Sequence, residues 1–139
     1  MATDGPIECS VITPEEKVLE ARVSSVVIPA HDGQVGLAPS RAPLLAQLGD
    51  GMLRLDFEEG GSRYFFVGGG FAQMKDNNLS IVADEAIPAE DIVKQTAEEE
   101  LAAAQAIKTN NDEQIDAKLR AIDKARSKIA IYKQLDGRI

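Results

Sequence analysis

The sequence predicts an all-β domain, folded as a sandwich or barrel, followed by a pair of α-helices. Three observations carry this. Short runs of β-branched and aromatic residues, separated by turn-forming clusters, fill the chain up to Pro88 and read as strands. From Ala89 to Asp136 glycine is absent, and alanine, glutamate and lysine dominate, a composition that suits helices. At the same point the apolar residues take up helical spacing.

The expected strands are Ile7–Ile12, Val18–Ile28, Met52–Phe57, Tyr64–Val67, Phe71–Met74 and Leu79–Val82. Between them, Asp32-Gly33, Gly49-Asp50-Gly51, Glu59-Gly60-Gly61 and Asp76-Asn77-Asn78 supply residues that tolerate positive φ at tight connections. Pro88 suits the first turn of a helix, where its missing N–H would be unpaired in any case. Val93, Ala97, Leu101 and Ala104 then recur at helical spacing, and Ala102, Ala103 and Ala106 keep the neighbouring surface slim.

Thr109-Asn110-Asn111-Asp112 breaks this first helix, and Asn110 with Glu113 resembles a capping box for the next. Ile115, Leu119, Ile122, Ala125, Ile129 and Tyr132 form a narrow apolar stripe on the second helix, expected to end near Gly137. A short polar loop between two helices implies an antiparallel pair. The domains are thus residues 1–88 and residues 89–139, and the helices, too small to hold a core alone, must lean on something.

At 139 residues the chain has room for one domain with an appendage. The net charge of −8 and isoelectric point of about 4.6 argue against nucleic acid as a partner, because phosphate binding rests on clustered Lys and Arg. No apolar stretch approaches the roughly 18 to 20 residues of a membrane span, so direct membrane insertion is not expected. Met-Ala-Thr-Asp-Gly-Pro has neither the basic nor the apolar region of a secretory signal, and the default expectation is a soluble intracellular protein.

Charge is unevenly spread. Residues 1–88 carry six basic and thirteen acidic side chains, residues 89–108 two and five, and the remainder seven and five. At about 100° per residue, Arg120, Lys124 and Lys128 fall in a row opposite Ile115 and Ile122. The row suits either a solvated face or a docking edge for an acidic partner. Arg126 and Lys133 project onto the apolar face itself, within about 20° of Ile115, which favours a helix that sometimes leaves its partner.

Catalytic and ligand signals are weak. Gly68-Gly69-Gly70 is not followed by the Gly-Lys-Ser/Thr of a phosphate loop, and reads instead as a sharp bend or bulge where backbones approach. His31 is the only histidine, which leaves no two-His metal motif. Cys9, beside Glu8 and Ser10, has no cationic neighbour to activate it and reads as structural. Asp84-Glu85 reads as a polar pair at the domain junction. No metal, cofactor or catalytic residue is expected.

Longer motifs carry a family resemblance. Gly33-Gln34-Val35-Gly36-Leu37-Ala38-Pro39-Ser40-Arg41-Ala42-Pro43-Leu44-Leu45 resembles the G-x-(L/I/V)-G-(I/V/L)-x-P-x-(H/R)-A-P-L segment of the epsilon subunit of bacterial F-type ATP synthase. Gly51-Met52-Leu53-Arg54-Leu55, Val67 to Ala72, Ile81 to Ala86 and Val11 to Glu15 follow the same pattern. A free-standing sandwich adaptor whose helices bind a partner helix meets the periodicity equally well, and only the ordered motifs argue against it. A small enzyme fits least.

The resemblance implies a β-sandwich of about ten strands followed by a C-terminal antiparallel α-helical hairpin. It implies a non-catalytic central-stalk subunit that binds gamma, contacts the c-ring and helps couple rotation to ATP synthesis, on the cytoplasmic face of a bacterial inner membrane or an organellar one. The hairpin would lie folded or extend toward the alpha and beta subunits and restrain ATP hydrolysis, with Arg120, Lys124, Arg126 and Lys128 as contacts to an acidic segment of beta. Gln34 and Arg41 take the positions of an acidic residue and a frequent histidine in the c-ring contact. Some relatives bind ATP through an (I/L)-D-x-x-R-A motif; here Ile92, Val93, Thr96 and Ala97 stand in that register, so the charged groups are missing and no ATP binding is expected.

Overall fold

The computed structural model describes residues 5–136, with side chains through Gln134. Residues 1–4 of the amino-terminal reading, and Gly137 as the expected end of the second helix, lie outside the described residues. Seven strands are followed by two helices: β1 (Ile7–Ile12), β2 (Lys17–Ala30), β3 (Gly33–Leu37), β4 (Leu44–Gln47), β5 (Gly51–Phe57), β6 (Ser62–Lys75), β7 (Asn78–Pro88), α1 (Lys94–Gln105) and α2 (Asp112–Asp136). Among the described residues the sandwich therefore has seven strands rather than about ten, because β2, β6 and β7 are long strands that serve both layers.

The sheet runs β1-β7-β6-β5-β2-β3, β4 joins β6, and a further β1–β2 pairing closes the sheet on itself. The β1–β7 pair is parallel, with Cys9 opposite Leu79; the other strand pairs are antiparallel. Long strands change partner along their length, as strands that turn sandwich corners do. β6 pairs with β5 over Ser62–Val67 and with β4 over Phe71–Met74. Inside lie Ile7, Ile28, Leu53, Phe65, Leu79 and Ile81, all fully buried.

The corner in β6 is made by Gly68-Gly69-Gly70. Gly69 and Gly70 have φ of 66° and 104°, open to glycine at little cost. Before them Phe65 and Val67 face the core; after them Ala72 and Met74 do. The triplet thus reverses which alternate residues point inward. No residue is inserted, since Gly68 opposes Glu85 and Gly70 opposes Ala83 in unbroken register. The feature is a bend, and the two expected strands on either side of it are one.

Pro88 ends β7 opposite Phe65 instead of opening a helix. A single 3-10 turn, Ala89–Asp91, follows, and α1 begins at Lys94 with Val93 at its N-cap making no side-chain bond. The cap of α2 is one residue later than expected: the Gln114 amide donates to Asn111 Oδ1 at 2.9 Å, while Gln114 Oε1 accepts from the Asn110 amide at 2.7 Å. Lys118 bonds the Ile107 carbonyl and Lys128 meets Glu100, so the helices are antiparallel.

Because α1 has 12 residues and α2 has 25, the first turns of α2 overhang. Ile115 and Leu119, the first members of the apolar stripe, are 42% and 53% exposed. Burial on α2 falls instead on Ala125 and Ile131. Arg126 and Lys133 are exposed, so neither cation is trapped in an apolar interface.

A charged seam between sandwich and hairpin

Alternation in β6 builds the site. While Phe65 and Val67 turn inward, Tyr64 and Phe66 face outward and form a second cluster with Ala89, Ile92 and Ile131. This anchors the base of the hairpin. At helical rise, Arg120 lies about 16 Å along α2 from Ile131, and there the contact is ionic.

Arg120 Nε and one Nη donate to the two Asp50 carboxylate oxygens at 2.8 and 3.2 Å, a bidentate pair. The hydrogen bond that Arg120 donates to Asp50, with that carboxylate's charge and a smaller contribution from Asp84, raises the Arg120 pKa above its ordinary value. Lys128 donates to Glu100 at 3.0 Å, stands 3.7 Å from Glu85 and lies 5.1 Å from the centroid of the Phe66 ring. Glu85 Oε1 is buried without a hydrogen-bond partner. It faces Lys128 through charge alone.

The glycine bend is the bed for this row. A Cβ on Gly68 would sit 3.2 Å from Lys124 Cε, and one on Gly69 would meet Asp84 Oδ2 at 2.6 Å and an Arg120 nitrogen at 3.4 Å. Bare backbone lets the long stems of α2 lie down on β6. The structure thus brings Arg120, Lys124 and Lys128 together along the sandwich and leaves Arg126 outside. Asp50, Asp84, Glu85 and Glu100 receive or face the row, and nothing local in the sequence marks them as its acceptors. The signal lay in the opposed charge of the two segments and in a glycine triplet with no ligand role.

The seam is loosely filled on both sides of the Asp50–Arg120 bridge. A cavity of about 540 Å³ is bordered by His31, Gly69, Gly70, Asp84, Arg120 and Asp123, and one of about 360 Å³ by Gln34, Asp50, Met52, Ser127, Ile131 and Gln134. Gln34 and Arg41 are not neighbours in one loop. Gln34 is a strand residue opposite Pro29, whereas Arg41 follows the far end of β3, next to Ser40, whose amide donates to Asn77 Oδ1.

Ile92, Val93, Thr96 and Ala97 do converge, around a cavity of about 120 Å³ shared with Asp91, Glu100 and Lys128. Small-molecule sites usually offer about 300 to 1,000 Å³. Lys128, its one cation, is already paired with Glu100.

Beyond the glycine bend, Phe71 and Val82 are directly paired across β6 and β7 and are 56% and 49% exposed, with Leu45 on β4 at 70%. The described residues contain no helix long and apolar enough to cross a membrane.

Closed sandwich, ionic seam and hairpin together define a β-sandwich subunit with a helical tail. Residues 6–89 match the β-sandwich domain of the ATP synthase delta/epsilon chain. The chain is 37% identical to the ATP synthase epsilon chain of Rhodopirellula baltica over 88% of its length and 95% of that protein's. It is 32% identical to that of Granulibacter bethesdensis over 86% and 91%. A chain of the Euglena gracilis mitochondrial ATP synthase, solved as an OSCP/F1/c-ring assembly, shares the fold with a TM-score of 0.71 at 23% identity, covering 96% of this chain and 81% of that one. A chain of the Tetrahymena thermophila central stalk and c-ring does so at 0.65 and 16%, covering 91% and 96%. The protein belongs to the ATP synthase epsilon chain family, and it is a non-catalytic subunit.

Proposed function

We propose that the chain sits in the central stalk of an F-type ATP synthase, bound to gamma and touching the c-ring, and helps pass rotation to the catalytic head. The observation that carries this is the apolar face of Leu45, Phe71 and Val82, left open by the hairpin on a sandwich whose fold relatives lie in stalk and c-ring assemblies. Apolar residues clustered on an exposed sheet face mark an interaction surface. Arg41 and Gln34, both exposed, are the c-ring contacts in this reading. In this reading the chain lies at the cytoplasmic face of a bacterial inner membrane, or at an organellar membrane.

The hairpin restrains ATP hydrolysis by extending along gamma, where Arg120, Lys124, Arg126 and Lys128 meet acidic residues of beta. Nucleotide does not hold it down, because the cavity at Val93 and Thr96 is small and flanked by Asp91 and Glu100. The test is co-purification with gamma. A chain carrying Phe71→Ser and Val82→Ser is expected to elute apart from gamma at equimolar mixing, and unaltered co-elution would count against the surface.

A further inference from the structure

Three of the four cations that the proposed restraint requires already lie against the chain's own sandwich or first helix, and only Arg126 is left outside. Arg120 is held by Asp50, Lys128 by Glu85 and Glu100, and Lys124 lies along Gly68. Apolar packing is concentrated at the hairpin base, on Phe66, Ile92 and Ile131, while cavities open beside the Asp50–Arg120 bridge. A helix fixed at one end by apolar contact and the largely buried Lys128, and at the other by the Asp50–Arg120 pair, whose guanidinium is exposed, can separate from the Arg120 end first. Ion pairs of this kind are individually weak and salt-screened, whereas a buried apolar cluster is not.

We infer that the seam is an electrostatic latch: Asp50, Asp84 and Glu85 of the sandwich act as an internal acidic partner that holds the hairpin down and occupies the same basic row that would bind elsewhere. For Arg120, Lys124 and Lys128, docking on the sandwich and docking on an acidic partner then exclude one another. The latch rests on the proposed function only for the identity of that competing partner. Its existence in the free chain does not.

The experiment uses the full chain with spin labels at cysteines introduced for Ser80 and Asp116, both exposed; the native thiol, Cys9, is buried. Pulsed distance measurements report the docked hairpin as one distance and the released hairpin as a second. Asp50→Asn is expected to raise the released population about threefold, the scale of an exposed ion pair. Raising ionic strength from about 0.01 to about 1 M, which shortens the screening length from about 30 to about 3 Å, is expected to do the same to the unaltered chain. The charge exchange Asp50→Arg with Arg120→Asp is expected to restore the docked population, which a merely structural loss would not allow.

A population indifferent to salt and to Asp50→Asn would overturn the latch. In the assembled complex, Asp50→Asn is expected to lower ATP hydrolysis by freeing the tail. Release in the free chain with hydrolysis unchanged would support the latch and tell against the restraint.

Discussion

Lys128 lies 5.1 Å from the centre of the Phe66 ring, on a side chain only 13% exposed that also reaches Glu100 at 3.0 Å and Glu85 at 3.7 Å. One ammonium therefore joins α2 to α1, to β7 and to the aromatic floor of the hairpin site. Replacing it removes a charged hydrogen bond and a cation–π contact, and leaves the buried Glu85 Oε1 facing nothing. Lys128→Ala is expected to lower the unfolding free energy by about 1 to 2 kcal/mol, measured by urea denaturation. Lys128→Arg, which keeps the charge, should recover part of that loss. Equal stability of all three chains would show that the ammonium does not join these elements.

The bend in β6 depends on glycine more strictly. At Gly70, with φ of 104°, a Cβ would overlap the Val82 carbonyl oxygen and crowd Ala83, both in the strand it is paired with. Gly70→Ala is expected to cost more than about 3 kcal/mol, combining backbone strain with a clash that has no flexible neighbour to absorb it. At Gly60, φ is 101° but nothing stands within 4 Å, so Gly60→Ala should cost only the strain, about 1 kcal/mol. Thermal unfolding of the two variants separates these effects.

Why the bend could be named but not interpreted is instructive. A glycine run announces a place where side chains are unwelcome. It does not say that the facing of the strand reverses there, because that follows from the pairing of Gly68 with Glu85 and Gly70 with Ala83, residues distant in sequence. For the same reason β3 and β4 are not legible as strands in the sequence. Gly33–Leu37 contains two glycines and Leu44–Gln47 is four residues long, so each becomes a strand only through partners, Ile28 opposite Val35 and Met74 opposite Leu44. Helical periodicity located the basic row as one face of α2. Which face meets the sandwich was decided by Asp50 and by bare backbone on β6, and neither is local.

Cys9 is expected to be chemically silent in the native protein. Burial pushes its thiol up to about 12, above the ordinary value of about 8.5, so at pH 8 the nucleophilic thiolate is scarce. The folded pKa is raised, so the thiol's contribution to stability is complete below about pH 8.5 and is lost as pH climbs toward about 12. Alkylation at pH 8 should therefore follow unfolding rather than precede it. Between about pH 8.5 and 9.5 stability should decline, with a shallower decline in Cys9→Ala. Rapid alkylation of the folded chain would contradict the burial.

Val93 holds the N-cap of α1 with no side-chain bond to offer and is 59% exposed. An aspartate there would accept from the free amides of the first turn and complement the helix dipole, at little loss of burial. Val93→Asp is expected to raise stability by about 0.5 to 1 kcal/mol and to slow hydrogen exchange in α1. It should leave nucleotide affinity undetectable by isothermal titration, because Thr96 still supplies no cation and Asp91 and Glu100 still border the cavity. A micromolar dissociation constant for ATP, in the parent or in this variant, would show that the site is intact after all.

Truncation after Pro88 separates the two halves. It keeps the closed strand ring around Phe65, Leu53 and Ile81 but uncovers Tyr64 and Phe66, which the hairpin side now buries with Ile92 and Ile131. The truncated chain is therefore expected to fold with reduced solubility and stability, and to retain the Leu45, Phe71 and Val82 face with which it would bind gamma. In the assembled complex, ATP hydrolysis should rise while ATP synthesis continues, since the proposed restraint leaves with α2 and the proposed stalk contact remains. Hydrolysis that is unchanged, with the truncated subunit shown to be present in the complex, would mean that this tail is not a brake.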